Sequence, residues 1–96
     1  MLHLIMASPV KLDMDYIETF IGQTDDILLL QDAVYAGVAN SHYFSKLIAK
    51  KQSGLYVLKE DAQARGITAL LGPKFQLISY QQFVELTVKH SKQITW

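Results

Sequence analysis

The most constraining stretch of this chain is Asp26-Ile27-Leu28-Leu29-Leu30-Gln31-Asp32. Side chains on a strand alternate between its two faces, so four consecutive aliphatics leave neither face polar. A strand of that kind is stable only where both faces are covered, as in a parallel sheet with helices above and below. A chain of 96 residues has room for one such domain. Half of its residues are hydrophobic, a high share for so small a body, so part of its apolar surface is expected to be covered by another subunit.

Short apolar runs alternate with amphipathic segments on either side of that stretch. Leu2–Met6 reads as a strand, ended by Ala7-Ser8-Pro9 because proline cannot continue a ladder. Asp13–Ile21 reads as a helix capped by Asp13, with Met14, Ile17, Ile21 and Phe20 inward and Gly22 as its stop. Asp32 reads as the N-cap of a helix to Ala39, with Val34, Tyr35 and Val38 as its apolar side. Ser41 reads as the cap of another helix, to Lys50, and Gln52-Ser53-Gly54 as a turn. Leu55–Leu58 is the third strand, Glu60–Arg65 a short helix stopped by Gly66, and Leu70-Leu71-Gly72-Pro73 a loop. Phe75–Ile78 is the fourth strand. A last helix runs from Ser79 or Tyr80 to His90 with Phe83, Val84 and Val88 inward, and Gln93–Trp96 reads as a short edge strand. Strand and helix in alternation predict parallel pairing with right-handed crossovers. The expected fold is a single α/β domain over residues 1–96: a small doubly wound, mostly parallel sheet of four or five strands with helices on both faces.

Several chemistries are disfavoured by composition. There is no cysteine, so disulfides, thiolate metal sites and a cysteine-based mechanism within this chain are excluded. Nine basic residues balance nine acidic ones, which suits a protein held inside an assembly rather than one that gathers phosphates. The short basic run Lys50-Lys51 with Lys46 reads as a solvated helix end. A basic face of Lys46, Lys50, Lys51, Lys89 and Lys92 would be needed for an RNA-binding module, and direct nucleic-acid contact is not expected. No glycine-rich phosphate loop follows a strand, and His3, His42 and His90 lack the spacing of a helical metal pair, so no cofactor and no metal are expected. No apolar run approaches a membrane span and the start lacks a basic leader, which makes the cytoplasm the expected location.

Ligands of open α/β sheets bind beyond the carboxyl ends of the strands, which here carry Ser8-Pro9, Gln31-Asp32, Lys59-Glu60-Asp61 and Ser79-Tyr80. The adjacent acids Asp25-Asp26 and Glu60-Asp61 diverge and form no shared-proton dyad, and Glu60 and Asp61 read as acids favoured at a helix start. Ser8, Ser41 and Ser79 sit at element boundaries as caps, with no elbow for a nucleophile. A small hydrolase or isomerase would need His3 or His90 beside Asp32 and Glu60. Trp96 packs either into its own core or on a partner.

Four groups of residues then resemble a known family. They are Met1-Leu2-His3 with Ser8-Pro9, Asp26–Asp32 with Val34, Tyr56–Asp61 with Ala64-Arg65-Gly66, and Tyr80–Val84 with Leu86–His90 and Trp96. Together, and in order from end to end, they resemble the TusB-like, DsrH-type subunits of the DsrE/DsrF/DsrH sulfur-relay family. The resemblance implies a dimer of heterotrimers with TusC-like and TusD-like sister subunits. It also implies indirect links to TusA-like donors and TusE-like acceptors, in a relay toward 2-thiolation of the wobble uridine in transfer RNA. Sisters of the TusD type carry their cysteine at the end of the third strand. Counting back from Arg65-Gly66 places Leu58 there, and an aliphatic side chain holds no persulfide. The expectation is a non-catalytic docking subunit rather than an enzyme, the alternative being a module that binds transfer RNA or an acceptor protein. Asp32, Tyr35, Leu58, Lys59, Glu60, Asp61, His90 and Trp96 are the expected partner contacts.

Overall fold

The computed structural model describes residues 1–51 and 53–96, so Gln52 of the expected turn lies outside the described residues. Five strands form one sheet: β1 (Leu2–Ile5), β2 (Asp26–Leu29), β3 (Leu55–Leu58), β4 (Gln76–Ile78) and β5 (Gln93–Thr95). Their order is β4-β3-β2-β1-β5 and every pair is parallel. The central strand β2 is buried along its whole length, as its run of aliphatics requires.

Topology decides which helix covers which face. The steps from β1 to β2, β3 and β4 all move in one direction, so right-handed crossovers put their helices on one side. These are α1 (Met14–Glu18), α2 (Ser45–Lys50) and α3 (Lys59–Ala64). Met14, Ile17, Leu47 and Ala62 pack there against Ile5, Ile27, Leu29, Leu55 and Val57. The return from β4 to β5 runs the other way, and α4 (Tyr80–Lys89) accordingly covers the opposite side. Leu86 and Phe83 pack there against Leu2, Leu28, Leu30, Leu58 and Ile78.

Asp13 caps α1 by accepting from the Tyr16 N–H. Ser79 caps α4 in a reciprocal pair with Gln82. Other expectations are corrected. The segment after β2 is a 3₁₀ run over Gln31–Gly37 with no side-chain cap, because Asp32 turns instead to Arg65. Ser41 caps no helix: its hydroxyl accepts from Tyr43 N–H, and α2 begins four residues later, at Ser45. Thr68–Leu70 is a 3₁₀ turn that extends into the expected loop. On α4, Val84 and Val88 are exposed, at 45% and 82%, rather than inward. The face toward the sheet follows Ser79, Phe83, Leu86 and His90, which leaves the 80-84-88 row outside. Phe20 is also exposed.

Lys51 departs from the solvated-end reading of the basic run, which holds for the exposed Lys46 and Lys50. It is 2% exposed, and its ammonium donates to the carbonyls of Gly22 and Gln23. A buried cation of this kind is tolerated because its protons find acceptors.

Candidate functional site

The carboxyl ends of β2 and β3 form a bonded rim. β2 leads into Gln31, whose φ of 52° lies in the left-handed region that side chains other than glycine rarely enter. Asp61 secures that turn: its Oδ2 accepts from the Gln31 N–H at 2.6 Å. Arg65, one helical turn after Asp61, donates through Nε and Nη2 to Asp32 Oδ1 at 3.1 and 2.9 Å, and through Nη1 to the Asp61 carbonyl. Glu60 Oε1 accepts from the Tyr80 N–H at 3.3 Å and so ties the start of α4 to the start of α3. The acids at the start of α3 therefore spend their acceptors on neighbouring segments. Asp32 is largely exposed on the outside of its pair with Arg65, so this ion pair is weakly stabilising and fixes position more than energy.

Leu58, where β3 gives way to α3, is 7% exposed and belongs to the core under α4. Lys59 and Tyr35 project from the same rim into solvent. Six of the eight expected contact residues thus fall at one end of the sheet: Asp32, Tyr35, Leu58, Lys59, Glu60 and Asp61. The other two do not join them.

His90 closes α4 at the amino ends of the strands. Its Nε2 meets Asp26 Oδ2 at 2.7 Å, and Lys89 reaches the same oxygen at 3.2 Å. Trp96 lies on the other face, where its Nε1–H donates to His3 Nδ1 at 3.3 Å. His3 is fully buried, and its Nε2 faces Asp25 Oδ2 at 2.9 Å. Burial works against the charge on Asp25, but the Gly22 N–H, His3 and the Met1 ammonium outweigh it and hold its carboxyl down at about 2. Between α1 and α2, burial and the nearby Asp15 raise Glu18 above the ordinary carboxylate value.

Both histidines therefore stand at the amino ends of β1 and β2, a strand's length from Asp32 and Glu60. That separation removes the hydrolase or isomerase reading. Among the described residues, no three His, Cys, Asp or Glu side chains are placed to hold a metal ion. None of the helices among them is long and apolar enough to cross a membrane. Two features of the rim escaped the sequence reading, the cross-tie by Arg65 and the backbone conformation of Gln31. Arg65 could have been found from its four-residue spacing to Asp61, whereas nothing in the sequence marks Gln31 as left-handed.

The family model described as "DsrH like protein" matches residues 7–93. The chain belongs to the DsrH family. Proteins named TusB are similar to it over their whole length and its own: 43% identical in Photorhabdus laumondii, 40% in Erwinia tasmaniensis and 38% in Buchnera aphidicola. This DsrH-family chain is thus of the TusB type. Two solved structures share its fold. Tm0979 from Thermotoga maritima has a TM-score of 0.65 at 20% identity, covering 96% of this chain and 97% of that one. MTH1491 from Methanobacterium thermoautotrophicum has a TM-score of 0.67 at 15% identity, covering 99% and 96%.

Proposed function

We propose that this chain is a non-catalytic docking subunit of a TusBCD-like sulfur-relay complex that supports 2-thiolation of the wobble uridine in transfer RNA. It packs beside TusC-like and TusD-like sister chains in the cytoplasm and shapes the approach to a sister's cysteine. The observation that carries this reading is Leu58. The end of β3 holds a buried aliphatic side chain, in a sequence without cysteine. Persulfide transfer proceeds by thiolate attack on sulfur, and this polypeptide supplies no thiolate. What remains is shape. The rim of Asp32, Tyr35, Lys59, Glu60 and Asp61 is cross-tied by Arg65, and a pre-ordered surface loses little entropy on docking.

A transfer-RNA-binding role finds less support. Of the lysines such a face would need, Lys51 is buried and Lys89 is paired with Asp26. Counterion release rewards clustered, accessible cations, and that cluster is broken here.

The test is co-expression with the two sister chains and purification through a tag on this one. The expected outcome is a stoichiometric complex that accepts persulfide sulfur on the sisters, with no sulfur added to this chain by intact mass. Recovery of this chain alone, or a sulfur adduct on it, would overturn the reading.

A further inference from the structure

His3 lies inside the sheet among apolar side chains, and the docking reading gives it no task. Its two ring nitrogens have different partners, and those partners fix its proton. The Trp96 indole N–H is a donor without an acceptor atom, so at 3.3 Å it requires a bare lone pair on His3 Nδ1. The ring proton then sits on Nε2, where it donates to Asp25 Oδ2 at 2.9 Å. The neutral Nε2–H form is the one that satisfies both contacts. The two rings lie nearly parallel, at 9°, with centroids 6.4 Å apart.

A second proton on this imidazole must go to Nδ1. Two N–H groups would then point at each other across the contact that now holds the indole. One side of the ring keeps its bond and gains from the change, because imidazolium to carboxylate is charged on both sides whereas neutral imidazole to carboxylate is charged on one. The other side loses its bond. Asp25 retains its negative charge throughout, since its hydrogen bonds hold its carboxyl near 2.

Other charges nearby are occupied elsewhere. The Met1 ammonium pairs with Asp25 Oδ1. The Lys51 ammonium faces the Gly22 and Gln23 carbonyls. On α1, Asp15 and Glu18 lie toward Lys46 and Lys50. Asp26, Lys89 and His90 form their own group across the sheet.

What Trp96 holds in place is the edge of the sheet. Its backbone N–H donates to Leu4 O at 2.8 Å, and its carbonyl accepts from Met6 N–H at 3.1 Å. β5 has three residues, of which Gln93 and Thr95 are exposed and Ile94 half-buried, so it has little burial of its own to keep it there. Phe20, 51% exposed, lies against the outer side of the indole and does not enclose it.

We infer that Trp96 is a latch held shut by neutral His3, and that protonation of His3 releases the indole, loosens β5 and opens the outer edge of β1. An opened edge presents unpaired N–H and C=O groups to another strand. The device is independent of the docking reading.

The sequence contains one tryptophan, so its fluorescence reports this latch directly. The experiment follows acrylamide quenching and the emission maximum of the full chain from pH 8 to pH 5, with far-UV circular dichroism alongside. The expected result is a rise of threefold or more in the quenching constant and a red shift on acidification, with the circular dichroism retained. His3→Asn, whose side-chain oxygen accepts from the indole at any pH, is expected to remove the transition. An unchanged quenching constant in the parent chain would overturn the inference. So would the same transition in the variant, or loss of circular dichroism in step with release. Imidazole 15N NMR at pH 8 gives a check that needs no variant: a protonated Nδ1 on His3 would also sink it.

Discussion

Asp25 and Asp26 are neighbours in the chain, and each carboxylate ends on a different histidine on a different face of the sheet. Asp25 meets His3 on the side of α1, and Asp26 meets His90 at the end of α4. The alternation of side chains along a strand produces this divergence. One pair fixes the start of β2 against β1 and the loop after α1, and the other fixes it against the last helix.

Asp26 is the more buried of the two, and its Oδ2 serves both His90 and Lys89. Asp26→Ala leaves a buried imidazole without a partner, and a cost of about 2–3 kcal/mol is expected. For a domain of this size each kcal/mol lowers Tm by roughly 4–8 °C. Asp32→Ala, which breaks an exposed pair with Arg65, is expected to stay within about 0.5 kcal/mol. Thermal melts of the two variants side by side check the ranking.

Asp25 links stability to acid. Its carboxyl is held at about 2 in the folded chain, below the ordinary 3.8. The folded state thus binds this proton more weakly than the unfolded state does. The stabilisation is therefore complete above the ordinary value and disappears as pH falls through about 2. Urea titrations between pH 7 and pH 2 should show Asp25→Asn less stable than the parent at neutral pH, by about 1 kcal/mol after allowance for solvent screening. That gap should narrow below the ordinary 3.8 and close as pH falls through about 2. A constant gap would show that hydrogen-bond geometry, and not charge, is what Asp25 supplies.

Two glycines with positive φ separate backbone strain from steric exclusion. At Gly66, with φ of 67°, an added Cβ meets nothing within 4 Å, so Gly66→Ala is expected to cost only the left-handed conformation, about 1 kcal/mol. At Gly54, with φ of 80°, the same atom would stand 2.6 Å from Asp26 Oδ1 and 3.1 Å from the Asp25 carbonyl. Gly54→Ala must displace the carboxylate that holds His90, and a loss of about 3 kcal/mol or more is expected. Chemical denaturation of the pair measures the difference.

Lys50 and Lys51 are adjacent, but their environments differ. Lys51→Ala strips a donor from the Gly22 and Gln23 carbonyls and opens a void beside α2, so a loss of about 2 kcal/mol is expected. Lys50→Ala, at an exposed helix end, is expected to change stability by less than about 0.5 kcal/mol.

Much of the architecture was legible because strand burial writes itself into local composition. Ile27–Leu30 is aliphatic on both faces, Leu55–Leu58 is apolar on both but for the Tyr56 hydroxyl, and Asp13 and Ser79 announce their helices by capping. Misreadings came where the deciding partner is remote in sequence. Asp32 looks like a cap until Arg65, 33 residues away, draws it aside. Val84 and Val88 look like an inward row, yet α4 turns Phe83 and Leu86 to the sheet and His90 to Asp26, which leaves that row outside. The rim was found from strand ends alone. His90 and Trp96, expected as partner contacts with no stated place on the rim, lie apart from it: His90 meets Asp26 and Trp96 meets His3.

That order has a further consequence for biosynthesis. β1 is the second strand from the edge, and its outer neighbour is β5, formed by residues 93–95. A growing chain on the ribosome can assemble the β1-to-β4 side early, because those strands pair in the order in which they emerge. The outer flank of β1 stays bare until residues 93–95 have been made. During that interval the nascent domain exposes an unpaired flank of β1, and a binding factor that covers a bare strand edge would act in that window.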